Sequence, residues 1–160
     1  MSMKKQNLLR LIAAVVFCEA AGALGAVFTV PAIATWYTSL NKPAFTPPNW
    51  VFGPVWTTLF ALMGIALYLV WSKGLKEKKV KTAVWVFAAQ FALNLLWSFL
   101  FFSLRQPLLA FAEIILLWIA IAATIIKFYP ISRKAGLLLL PYLAWVTVAS
   151  ALNYFVWALN

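Results

Sequence analysis

Residues 36–56 read W-Y-T-S-L-N-K-P-A-F-T-P-P-N-W-V-F-G-P-V-W, the one long segment of the chain that is not a plain apolar run. Aromatics, four prolines (Pro43, Pro47, Pro48, Pro54) and a single basic residue, Lys42, lie between two apolar stretches. Such a segment cannot be a buried span. Proline lacks a backbone donor and fixes φ, so residues 44–49 read as extended, polyproline-like chain. Trp36, Tyr37 and Leu40 fall at i, i+1 and i+4, enough for one short amphipathic turn at a membrane surface. Pro54 is tolerable in the first turn of a new helix. A long, stiff, aromatic connection in a small protein reads as a lid over a site rather than a slack linker.

Outward from this loop the chain is apolar. Its 160 residues are 66% hydrophobic and 10% charged, with a mean hydropathy of +0.95. No soluble domain of this size hides so much apolar surface, and the reading is an all-α integral membrane protein with one domain over residues 1–160. Five stretches are long enough to cross a bilayer: 8–30, 50–71, 82–104, 107–128 and 135–159. Backbone groups in lipid must pair internally, and period-two alternation is absent, so the spans are helices. The N-terminal ten residues with the apolar run behind them imitate a signal peptide, but the run is too long for one and is read as a retained first span. Gly74 suits a C-cap after the second span, Arg105-Gln106-Pro107 a tight turn opening the fourth, and Tyr129-Pro130 the fourth's end.

The net charge of +10 would suggest nucleic acid in a soluble protein. Here the distribution of charge explains it, and no nucleic-acid partner is expected. With five spans, Lys4, Lys5, Arg10, Lys73, Lys76, Lys78, Lys79, Lys81, Lys127, Arg133 and Lys134 share one side, which makes eleven. Lys42 and Arg105 make two on the other, completing the thirteen basic residues. The bias puts the N-terminus in the cytoplasm and the first loop and C-terminus outside. The single cysteine, Cys18, excludes an intrachain disulfide, and with no histidine and three acids neither a metal site nor a cofactor is expected.

Polar groups inside spans each need an account. Gln90, Asn94 and Trp97 share one helical face, as do Trp145, Ala149 and Asn153, with Tyr142 just below, and Phe52, Trp56 and Phe60. If these faces converge beneath the loop, they line an aromatic pocket with a few amides, suited to a large, flat, apolar ligand. The alternative is that Asn94, Gln90 and Asn153 only tie helix to helix and that the tryptophans are interfacial belt residues. Glu19 and Glu113 are intramembrane carboxylates that pair, protonate or face a water-filled cavity. Arg105 either meets a ligand carboxylate or snorkels at a helix end. Ala21-x-x-x-Gly25, Gly22-x-x-x-Ala26 and Ala88-x-x-x-Ala92 permit close helix contact, within the chain or in a homodimer. No hydrolase, P-loop or dinucleotide-binding constellation is present.

Taken together, W-Y-x-x-L-x-K-P at 36–43, T-P-P-x-W-x-F-x-P-x-W at 46–56, Q-x-x-x-N-x-x-W at 90–97, L-W at 117–118 and P-Y-L-x-W-x-x-x-A-x-x-L-N at 141–153 resemble the TspO/MBR family, also known as the translocator or tryptophan-rich sensory protein family. The resemblance implies a five-helix bundle, often dimeric, whose first loop covers a pocket for tetrapyrroles such as protoporphyrin IX and haem, for sterols and for synthetic aromatic ligands. By motif position it carries pocket roles to Tyr37, Pro47, Pro48, Phe52, Trp56, Phe60, Asn94, Trp97, Trp145 and Ala149. Some members are implicated in light- and oxygen-dependent porphyrin breakdown, for which the matching tryptophans are Trp56 and Trp145. Tyr154 has no basic residue after it, a departure from the sterol-recognition pattern of animal members. The charge balance suits a bacterial-type inner membrane.

Three functions follow as expectations: a sensor or carrier for porphyrin-type ligands in contact with membrane lipid, an enzyme degrading porphyrin, and a small-molecule transporter. Against the last, the sequence shows no inverted repeat and no broken helix.

Overall fold

The computed structural model describes residues 3–160, with side chains from residue 5 onward. Five helical segments are long and apolar enough to cross a membrane: Lys5–Tyr37, Asn49–Trp71, Lys78–Ser103, Pro107–Phe128 and Arg133–Leu159. The chain is an integral membrane protein built as a five-span helical bundle.

Helix α1 (Met3–Ala32) contains Pro31 and does not stop there. It widens into a π-helical turn, Ile33–Tyr37. The surface turn expected at Trp36 and Tyr37 is therefore the continuation of the first span. Pro31 cannot donate to the preceding turn, and the widened turn follows it two residues later. The Thr35 hydroxyl donates to the Pro31 carbonyl at 2.8 Å. Lys42 then closes the helix end, its Nζ donating to the carbonyls of Tyr37 at 2.7 Å and Leu40 at 3.1 Å. A cation over exposed C-terminal carbonyls opposes the helix dipole.

The following loop is less extended than its prolines suggest. Thr46 folds residues 43–46 into a turn, its backbone N–H and its hydroxyl both donating to the Pro43 carbonyl at 3.0 and 2.7 Å. Pro48 is extended, at φ −55° and ψ 144°, and Asn49–Val51 is already a 3₁₀ turn. Only the part around Pro48 keeps the polyproline-like geometry. A hydroxyl able to bond a carbonyl three residues back competes with extension.

Helix α2 (Phe52–Trp71) packs along α1. It ends through Gly74, whose φ of +105° is open to glycine at no steric cost. Helix α3 (Lys78–Ser98) starts four residues before the expected boundary, because extended Glu77 lets its carbonyl take the first helical bond, from Lys81 N–H at 3.0 Å. It finishes in a second π turn, Phe99–Ser103. Arg105, with φ +52°, reverses the chain into α4 (Pro107–Phe128), which packs between α3 and the last span.

The last span is broken, contrary to the single helix read from sequence. Short α5 (Arg133–Leu138) and long α6 (Leu140–Leu159) meet at Leu139. Pro141 cannot donate to the Leu137 carbonyl and crowds it, so a new helix begins with the proline in its first turn. The break lies close to the loop after α4, away from mid-span. Helix α5 packs on α2, while α2 and α6 meet through aromatic rings: Phe52 with Trp145 at 5.9 Å and Trp56 with Tyr142 at 6.3 Å.

The first loop is strapped to α6. Asn41 N–H donates to Asn160 Oδ1 at 3.0 Å, and Asn160 Nδ2 returns a bond to the Asn41 carbonyl at 3.0 Å. Phe45 then meets Phe155 at 5.7 Å, before Phe52 reaches Trp145. These contacts step down α6 by about 22 Å at 1.5 Å per residue, so α2 begins well below the top of the bundle. Asn160→Ala is expected to speed exchange of the Asn41 amide about tenfold, the protection lost with one hydrogen bond of about 1.4 kcal/mol. Hydrogen exchange by mass spectrometry reads it directly, and unchanged protection of the loop would mean that the strap does not hold it.

Candidate functional site

Beneath the junction of loop and α2 lies a cavity of about 490 Å³, within the range of small-molecule sites. Helices α1, α2, α3 and α6 each give it one wall, as their side-chain periodicity dictates. Phe52, Trp56 and Phe60 recur on one face of α2, Asn94 and Trp97 on one face of α3, and Trp145 and Ala149 on one face of α6. The three faces proposed from sequence converge in part, for Gln90 and Asn153, grouped with them there, are buried away from the wall. Seven of the ten residues singled out there line one space: Phe52, Trp56, Phe60, Asn94, Trp97, Trp145 and Ala149.

Tyr37, Pro47 and Pro48 do not reach the wall. Tyr37 is buried behind it, with ring centroids 6.1, 6.3 and 6.0 Å from Phe52, Phe101 and Phe102. It holds Phe52 from the rear. Pro47 and Pro48 belong to the strap that delivers Asn49 and Trp50 to the rim. Trp50 is 74% exposed, consistent with an interfacial position.

The polar residues serve two roles at once. Asn94 Nδ2 donates to Tyr142 Oη at 2.9 Å, and Trp97 Nε1 donates to Asn153 Oδ1 at 2.9 Å. Asn153 Nδ2 donates in turn to the Pro107 carbonyl at 2.7 Å, tying α3, α6 and α4 together. The helix-to-helix reading of Asn94 and Asn153 is thus correct, and Asn94 still forms part of the cavity wall. These bonds fix the Trp97 indole, which also stacks on Phe101 at 5.3 Å. Gln90, one turn below Asn94, is 1% exposed and its amide meets no partner among the described residues. Glu113 is 6% exposed and likewise unpartnered, outside the cavity. Arg105 lies over the Trp36 ring, 6.0 Å from its centroid.

Sequence reading missed the α1 wall: Glu19, Gly22, Ala23, Gly25, Ala26, Thr29, and onward to Ile33. The signal was present in the small-residue pattern, which was read only as helix contact. Small side chains here also leave room. A Cβ on Gly22 would overlap the Phe60 ring, so the glycine is what lets the ring come close to α1. Ala88 and Ala92, by contrast, are on the exposed outer face of α3.

Residues 14–158 match the sequence profile of the TspO/MBR family. The chain is 48% identical over 155 residues to the tryptophan-rich protein TspO of Archaeoglobus fulgidus, covering 96% of this chain and 99% of that one. It is 45% identical over 158 residues to the tryptophan-rich protein TspO of Chlorobaculum tepidum, with 99% of both chains covered. It is 44% identical over 127 residues to the human translocator protein, covering 78% of this chain and 75% of the other. Identity at this level over nearly the whole length, together with the five spans, leaves one conclusion: the chain belongs to the TspO/MBR family.

Proposed function

We propose that this protein is a membrane receptor, acting as sensor or carrier, that binds porphyrin-type tetrapyrroles such as protoporphyrin IX or haem, and similar flat apolar ligands, in the cavity beneath its first loop. The observation that carries the reading is the convergence of Phe52, Trp56, Phe60, Trp97 and Trp145 around one space with Asn94 as its amide. Aromatic walls offer a macrocycle stacking and edge contacts along its whole area. Family membership supports the same reading. The asymmetry of eleven basic residues against two supports a cytoplasmic N-terminus, an outer first loop and a bacterial-type inner membrane.

The test is a titration of detergent-purified protein with protoporphyrin IX in the dark, followed by tryptophan quenching. Wild type is expected to saturate at micromolar ligand. Trp145→Ala and Asn94→Ala are expected to weaken binding about tenfold, the loss of one well-packed contact of about 1.4 kcal/mol. Quenching that never saturates and ignores both substitutions would mean the porphyrin only dissolves in the micelle.

A second reading is favoured by a specific observation: Trp56 and Trp145, both electron-rich and oxidisable indoles, line the same cavity. A porphyrin stacked there and illuminated in oxygen would be degraded faster than in a pocket-blocked variant. Loss that equals simple photobleaching in that variant rejects it.

A further inference from the structure

The cavity has one feature that a purely apolar ligand leaves unused. Glu19 lines it, and it is the only ionisable carboxyl among the lining residues. Because α1 and α2 run antiparallel, with Gly22 beside Phe60 and Gly64 beside Val15, the end of the cavity carrying Asn49, Trp50 and Ile33 is the loop end. Glu19 therefore occupies the opposite, inner end. The lining strip on α1 from Glu19 to Ile33 is about 21 Å long at 1.5 Å per residue. No basic side chain answers Glu19: the one ion pair among the described residues joins Lys79 to Glu77, at 3.3 Å. Its neighbours on the wall are Gly22 and Ala23, which offer no side-chain donor. A carboxyl at membrane depth without a protein partner either holds a proton or pairs with a group that enters the cavity it faces.

We propose that Glu19 makes the inner end of the cavity a subsite for a protonated nitrogen, so that the favoured ligands are flat aromatic bodies with a cationic amine at one edge. The inference rests on the cavity being a ligand site, and it specifies which way the ligand lies. The ring system stacks between Trp56, Phe60 and Trp97, and the ammonium or ring-edge N–H donates to the Glu19 carboxylate. Charge-assisted bonds in a site of low dielectric are the strong ones, and pairing removes the penalty that either charge alone would carry there. The aromatic faces nearby add attraction for a cation. An anionic edge of a ligand is excluded from this end and directed toward the loop.

The experiment compares 9-aminoacridine, a flat cation, with acridine, the same ring system uncharged in mildly alkaline buffer, by tryptophan quenching on the intact detergent-solubilised protein. Wild type is expected to prefer the cation by about tenfold. Glu19→Gln, nearly isosteric, is expected to abolish the preference while leaving acridine affinity within twofold. Glu19→Asp, which keeps the charge, is expected to retain part of it. Equal saturable affinities for the two probes in wild type, or a preference that survives Glu19→Gln, overturns this inference and leaves the cavity reading standing. Non-saturable uptake of both probes overturns the cavity reading and this inference with it.

Discussion

Replacing Gly64 by valine is expected to destabilise the bundle by about 3 kcal/mol or more, enough to cost most of the folded protein on purification. At this position α1 and α2 touch backbone to backbone. A Cβ on Gly64 would lie 2.5 Å from Val15 Cα and 2.9 Å from the Ala14 carbonyl oxygen. Neither atom can rotate away as a side-chain tip can, so the helices must separate along their longest contact. In lipid there is no hydrophobic drive to push them back, and close packing of small residues is what holds such a pair. Gly53 is the control on the same helix, since a Cβ there meets nothing within 4 Å. Gly53→Ala should be neutral or slightly stabilising, because alanine is the better helix former. Thermal unfolding in detergent, followed by circular dichroism, separates the two. A Gly64→Val protein that melts with the wild type would refute the α1–α2 register described above.

The second large effect belongs to Asn153. Asn153→Leu keeps the branching of the side chain but removes the acceptor of Trp97 Nε1 and the donor to the Pro107 carbonyl. Interhelical hydrogen bonds in membranes average about 0.6 kcal/mol and reach about 1.7. Here the larger figure applies, because Asn153 is 1% exposed and its Oδ1 is the acceptor the indole N–H has among the described residues. An unpaired buried donor carries a cost of the same order, and the expected loss is about 2 kcal/mol. Pro107 contributes less, since its carbonyl lies in the first turn of α4 and has a helical partner available. Trp97→Phe removes the donor itself. The double variant should therefore lose about 1 kcal/mol less than the sum of the single variants, and strict additivity would show that the bond does not matter. Freed of Asn153, the Trp97 ring is no longer fixed in the cavity wall, so the same variant should also weaken saturable porphyrin quenching.

The registers of α1 against α2 and of the loop against α6 mark where reading the sequence ended. The hydropathy of the chain, the five apolar runs and the one aromatic, proline-rich connection are local properties, and they were legible residue by residue. So were the faces carrying Phe52, Trp56 and Phe60, or Asn94 and Trp97, because helical periodicity sets the direction of a side chain about its own axis. The small residues of α1 were legible as a pattern but not as a wall. Gly22 lies under Phe60, and Ala23 and Ala26 border open space, only because of how α1 is rotated against α2. Tyr37 carried the family motif into a buried position behind Phe52, a distinction that no spacing along the chain can make.

The sequence by itself determined that this is a five-span helical membrane protein of the TspO/MBR type, with its polar and aromatic groups gathered on particular helix faces. Only the tertiary structure decided that the first loop descends along α6 and that Glu19 lies at the inner end of the cavity. The physical reason is one of range. Propensity and periodicity act over one or two turns of a single helix. Register between helices is set by contacts between residues far apart in the chain, such as Gly64 on Val15, Asn153 on Trp97 and Asn41 on Asn160, and those contacts exist only once the bundle has formed.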